Sequence, residues 1–124
     1  VDNCDVCFVE ALLAAKVQPK VIHFEFGAHM VSPSIVARAP FRRAVRSGGK
    51  VLGSSSMHGS LGAFLRAAEG YRLLHVEFLN AVLVRDDLYP ELAGSTQRSE
   101  EEAWRLGYFC HPLRSASPHS HFFH

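Results

Sequence analysis

The chain has 124 residues, 48% of them hydrophobic, with 13 basic against 12 acidic side chains and eight histidines. At that length folding buries roughly two thirds of the extended chain's surface, enough for one core and not for two. The net charge of +1 supplies no global field that would draw nucleic acid or an anionic membrane.

Charges or histidines interrupt every hydrophobic stretch before it reaches the roughly 20 apolar residues of a membrane span. Three cysteines cannot all pair with one another, so the reading is a cytoplasmic protein with reduced thiols rather than a disulfide-stapled secreted fold. Val1 stands where a start Met is expected, which reads as a piece of a longer product, and nothing near it has signal-peptide composition.

The first predicted element is a helix. Asp2 or Asp5 can cap it, and Val6, Val9, Leu13 and Val17 then recur at three- and four-residue steps. It must end before Pro19, because the residue ahead of a proline is pushed out of helical geometry. Lys20 to Phe26 (K-V-I-H-F-E-F) is rich in β-branched and aromatic residues and is followed by Gly27, the pattern of a short buried strand. Residues 28 to 58 carry Pro33, Pro40, Gly48, Gly49, Gly53 and three consecutive serines; they read as loop, with one helical turn near Phe41 to Arg46.

Ser60 can N-cap a second helix with Leu61, Phe64, Leu65 and Ala68 on one side, which Gly70 stops in the left-handed conformation. Two apolar runs follow, Tyr71 to Phe78 and Ala81 to Arg85. With no room between them for a crossover helix, they must be antiparallel neighbours. Ser99 and Glu102 form a capping box that predicts a short helix from Glu100 to about Leu106, ending at Gly107. Beyond Pro112 the composition offers no period, and a frayed tail is expected.

A strand, a crossover helix and a closing antiparallel hairpin resemble the last elements of class I methyltransferases, in which the final strand inserts antiparallel into the sheet. The local sequences resemble the FkbM-like branch. V-D-N-C-D-V-C-F-V-E-A-L-L-A-A is similar to its Asp-bearing strand end leading into a helix with a Leu-Leu pair, and K-V-Q-P-K-V-I-H-F-E-F to its Pro-x-Val-Ile strand. G-S-L-G-A-F-L is similar to its Gly-Ser-Leu helix start. G-Y-R-L-L-H-V-E-F-L-N-A-V-L-V-R-D-D-L resembles its Gly-Tyr-Arg-Leu strand followed by Asn-Ala and Val-Arg-x-Asp-Leu. The resemblance implies an α/β fold, namely the C-terminal part of a Rossmann-like doubly wound sheet ending in an antiparallel hairpin, with a short C-terminal helix after it. Residues 1–92 would form that half-domain, and 93–124 the short helix and a disordered tail.

The resemblance further implies a parent protein that transfers a methyl group from S-adenosylmethionine to a hydroxyl of a small molecule. The Gly-rich turn and the ribose-holding acid of such proteins belong to the opening half of the sheet. No cofactor is therefore expected on this chain alone, which would be inactive and would shape the acceptor side.

Asp2 falls at the C-terminal end of the preceding strand, where it could orient or deprotonate a substrate hydroxyl, or simply cap the helix. Glu25 must be paired or lie at a solvated strand end, because burying it alone costs several kcal/mol. It is the second candidate catalytic carboxylate. His29, Arg38 and Asn80 are the candidate substrate-binding residues; Arg38 opens a basic stretch with Arg42, Arg43, Arg46 and Lys50 that could hold an anionic group. That stretch lacks interleaved aromatics apart from Phe41, so no nucleic-acid surface is expected.

Cys4 and Cys7, with Cys110 and His111, could supply four tetrahedral ligands to zinc. The first pair overlaps a predicted helix start, however, and no metal site is expected. An alternative of another class is a noncatalytic interaction module that pairs with a partner through an exposed sheet edge.

Overall fold

A computed structural model of the chain describes residues 5–27, 32–36 and 59–116. It is a mixed helix and strand structure around a three-stranded antiparallel sheet. Helix α1 (Asp5–Ala14) leads to strand β1 (Val21–Glu25), helix α2 (Leu61–Ala67), and the hairpin of β2 (Tyr71–Glu77) and β3 (Asn80–Arg85). Three short helices follow: α3 (Tyr89–Ala93), α4 (Glu100–Trp104) and α5 (Pro112–Ala116).

Helix α1 stops before Pro19, as the sequence predicts, and the backbone shows how. Lys16 takes a positive φ of 62°, and the amides of Lys16 and Val17 bond back to the carbonyls of Leu13 and Leu12, both at 3.0 Å. This double bond-back satisfies carbonyls that the helix end would otherwise leave open. Val6 and Val9 are buried, whereas Val17 lies beyond the helix and is 47% exposed.

The sheet order is β1-β3-β2, with β3 antiparallel to both neighbours. The hairpin is as predicted, and its second strand is the one that meets β1. Its turn is only Phe78 and Leu79, and Phe78 adopts φ 54° there. Burial along β1 alternates, with Ile22 and Phe24 inward and Val21, His23 and Glu25 exposed, the period of two that a half-buried strand requires. The core lies between the inward face of the sheet, α1 and α2, where Phe24 stacks on Phe64 with ring centroids 3.9 Å apart.

Ser60 caps α2 by accepting a 3.1 Å hydrogen bond from the amide of Ala63, and its hydroxyl donates to the carbonyl of Ile35 at 2.7 Å. Gly70 is left-handed at φ 87°, as expected of a helix stop. Ser99 likewise caps α4, accepting from the amide of Glu102 at 3.2 Å. Two local expectations need correction. Gly107 does not end the helix at about Leu106; the chain continues as a wider turn through Arg105–Phe109, and Gly107 is there because a Cβ would collide with the carbonyl of Val76. The tail beyond Pro112 begins with helix α5 rather than fraying at once. Helix α3, with Pro90 in its first turn, was not anticipated by periodicity because five residues are too few to show one.

Cys7 is disulfide-bonded, where the sequence reading expects reduced thiols; Cys110 is free and exposed. No helix among the described residues is long and apolar enough to cross a membrane. The helical turn expected near Phe41 to Arg46 lies outside the described residues.

Candidate functional site

Strand pairing brings two of the predicted site residues together. Glu25, the last residue of β1, is the register partner of Asn80, the first of β3, and Asn80 is in turn the partner of Glu77 at the end of β2. A row Glu25–Asn80–Glu77 therefore crosses one end of the sheet, at the C-terminal ends of β1 and β2. Both Glu25 and Asn80 are exposed, and neither side chain is hydrogen-bonded among the described residues. Glu25 thus resolves its solvation problem by lying at an open strand end. Asp2, His29 and Arg38, together with Cys4 and the rest of the basic stretch up to Lys50, lie outside the described residues.

The chain on either side of this row is pinned. The amide of Phe26 bonds to the carbonyl of Leu79 at 2.9 Å, and that of Gly27 to the carbonyl of Gly59 at 2.7 Å, so the exit of β1 is tied to both the hairpin turn and the entry to α2. Phe26 is buried against the edge of the Tyr108 ring, with centroids 5.8 Å apart.

Glu77 is the member of the row that sequence reasoning missed, and it has partners. Nε2 of His111 lies 2.7 Å from its Oε1, and Nε2 of His75 lies 3.6 Å from its Oε2. Nδ1 of His111 accepts a 3.1 Å hydrogen bond from the amide of Leu113. The ring proton is therefore on Nε2, donated to the carboxylate, and the imidazole lies over the Phe78 ring at 5.5 Å. The hydrogen bond from His111, more than its charge, holds the Glu77 carboxyl below the ordinary glutamate range.

Both ring nitrogens of His111 are thus committed, one to a carboxylate and one to the first turn of α5. That is a clamp on the C-terminal segment rather than an available base. No sequence signal links two residues 34 positions apart on a hairpin and a post-helical turn.

Beside the clamp is a cavity of about 140 Å³, lined by His75, Glu77, Arg98, Leu106 and His111 among others. Small-molecule sites occupy about 300–1,000 Å³, so this one suits ordered water better than a cofactor. Among the described residues no group of three or more His, Cys, Asp or Glu side chains could hold a metal ion. No family model, curated protein or solved structure matches the chain.

Proposed function

We propose that this chain is the closing part of a class I methyltransferase-like α/β domain, Rossmann-like in the whole, whose parent methylates a hydroxyl of a small molecule with S-adenosylmethionine. The observation that carries the reading is the sheet order. β3 lies between β1 and β2 and runs antiparallel to both. That order agrees with the antiparallel final strand that the resemblance implies, and a hairpin beside a strand does not force it, since β2 could equally have been the one to meet β1.

The residues that carry the resemblance also support the reading, because they act together. Tyr71 donates its hydroxyl to the carbonyl of Pro19 at 2.5 Å, and Arg85 donates to the carbonyl of Gln18 at 3.2 Å. They hold the α1–β1 connection against the hairpin. In open α/β sheets ligands lie outside the carboxyl ends of the strands, and Glu25 is at that end of β1. On this reading Glu25 accepts a hydrogen bond from the acceptor hydroxyl and Asn80 positions it, with Asp2, His29 and Arg38 as further contacts on the acceptor side.

The residues present do not fit the cofactor. No Gly-x-Gly occurs anywhere in the 124 residues. The chain by itself would therefore bind acceptor weakly and transfer nothing.

The test is complementation. The opening half of an FkbM-like methyltransferase, carrying the Gly-rich turn, is fused to this chain and titrated with S-adenosylmethionine by calorimetry. Saturable heat in the fusion and none in either half supports the proposal. Saturable binding by this chain alone, or a folded fusion that does not bind, overturns it.

A further inference from the structure

We propose that the open edge of β1 pairs with the same edge of a second copy of this chain, making a two-fold dimer with one continuous sheet. The inference does not rest on the methyltransferase reading and is made for this chain by itself, since the opening half of such a sheet would take the same edge of β1.

The two edges of the sheet are treated differently. The β2 edge is broken by a bulge between Leu73 and His75, and the Arg105–Phe109 turn packs on that strand, with the carbonyl of Gly107 taking the amide of Phe78 at 2.8 Å. Bulging and covering are the usual protections of an edge strand. β1 has neither. It is regular, contains no proline, and no other strand among the described residues pairs with its outer side.

Hydrogen bonding fixes which groups are open. The amide of Phe26 bonds to Leu79, and the carbonyl of Lys20 accepts from Arg85. In an antiparallel ladder the bonded pairs alternate, so Lys20, Ile22, Phe24 and Phe26 face β3. Val21, His23 and Glu25 therefore turn their N–H and C=O groups to the open side. An antiparallel pairing centred on His23 matches them all: Val21 with Glu25 of the second copy, His23 with His23, and Glu25 with Val21, each pair exchanging two N–H···O bonds.

Charge selects this direction. Antiparallel pairing brings the Glu25 end of one strand to the Lys20–Val21 end of the other, whereas an in-register parallel pairing would stack Glu25 on Glu25. The adjoining surface is apolar. A groove of about 320 Å³ runs between α1 and this edge, lined by Phe8, Leu12, Pro19 and Phe24, with Phe8 51% and Val21 47% exposed. A two-fold axis through His23, normal to the sheet, places both α1 helices on one face, with Phe8 and Leu12 of each copy toward the other. Pairing of this kind is isologous and closes on itself, so the assembly stops at two.

The test uses the full chain in sedimentation velocity over a dilution series, with amide exchange followed by NMR. The expected result is a dimer, with twice the 13.7 kDa of one chain, that dissociates on dilution. The amides of Val21, His23 and Glu25 should be protected in the dimer and exchange at least tenfold faster once dissociated. His23→Pro removes an N–H that the fold does not use, and should give a monomer whose circular dichroism is retained. Should that variant misfold, Phe8→Asp, at an exposed helix position, should weaken the dimer at least tenfold without touching the sheet. A chain that stays monomeric throughout, or a dimer whose three amides exchange freely and which Phe8→Asp leaves intact, overturns the proposal.

Discussion

The guanidinium of Arg85 grips the carboxylate of Asp87 through two hydrogen bonds, Nε to Oδ1 at 2.6 Å and Nη2 to Oδ2 at 3.1 Å, and its third nitrogen reaches the carbonyl of Gln18. Two residues of the Val-Arg-x-Asp-Leu segment thus form a fork that is also a tie, because the planar guanidinium holds the carboxylate on one side and a distant loop on the other. Asp87 orients Arg85, and Arg85 secures the entry to β1.

Replacing Asp87 with Asn should lower the melting temperature at neutral pH, and the deficit should disappear in acid. The hydrogen bond from Arg85, ahead of the charge of Arg85, holds the Asp87 carboxyl below its ordinary value. A depressed folded-state value contributes stability that is fully present above the unfolded value of about 3.9 and is lost as pH falls through the lower folded one. Melting curves of both proteins from pH 7 downward check this: the two should converge below about pH 4, the ordinary aspartate value. A difference that persists unchanged in acid would assign the effect to something other than the ion pair.

The same sign applies to the clamp on α5. Glu77→Gln removes the carboxylate that His111 donates to, and His111→Ala removes both that donor and the acceptor for the Leu113 amide. Each should raise exchange at Leu113 and proteolysis after Phe109, with His111→Ala the more severe, while the sheet amides stay protected. The Glu77 carboxyl is held low first by the hydrogen bond from His111. The protective difference between wild type and Glu77→Gln should therefore shrink as pH falls below about 4.3, the unperturbed glutamate value. Equal exchange at Leu113 in all three proteins would show that α5 is held some other way.

What was legible in the sequence was whatever repeats or punctuates locally. Lys20 to Phe26 is rich in β-branched and aromatic residues, Ser60 and Ser99 announce helix starts, Gly70 announces a stop, and the two-residue gap after Phe78 leaves only a hairpin. Contacts between distant segments left no such trace. Glu77 and His111 meet only because the Arg105–Phe109 turn lies on β2, and that turn depends on Gly107 having no Cβ rather than on any conformational preference. Of the site residues, Glu25 and Asn80 were brought side by side by the register of β1 on β3. That register follows from the burial of Ile22 and Phe24, because a slip of one residue would turn them to solvent.

Gly107→Ala tests the close approach directly. The new methyl would meet the carbonyl and Cβ of Val76 near the end of β2, where the paired strand cannot rotate away, so the Arg105–Phe109 turn must lift. Overpacking of this kind costs about 1–3 kcal/mol. Gly70→Ala is the control: its Cβ would meet nothing within 4 Å, and at φ 87° only the left-handed preference is lost, about 1–2 kcal/mol. Chemical denaturation of the two variants should rank Gly107→Ala as the less stable, and exchange at Phe78, whose amide bonds to Gly107, should accelerate only in that one. Equal stabilities would mean that the turn is not packed on β2.

The core prediction rests on the Phe24–Phe64 stack, which joins β1 to α2 across a gap in sequence of 40 residues. Phe64 is fully buried among Val6, Val9, Ile22 and Leu61, at the meeting point of α1, α2 and the sheet. Phe64→Ala removes a ring whose volume its neighbours, held on three different elements, cannot close over, and should cost about 3–5 kcal/mol. That is a large share of the roughly 5–15 kcal/mol a domain has, so the variant should melt at least several degrees lower or fail to fold at room temperature. Leu92→Ala, at a side chain 54% exposed on α3, should change stability by no more than about 0.5 kcal/mol. Phe64→Leu keeps much of the volume and should fall between them, which separates loss of packing from loss of the aromatic stack. If Phe64→Ala unfolds no more readily than Leu92→Ala, then α2 does not cover the sheet, and the placement of Gly59 beside the exit of β1 fails with it.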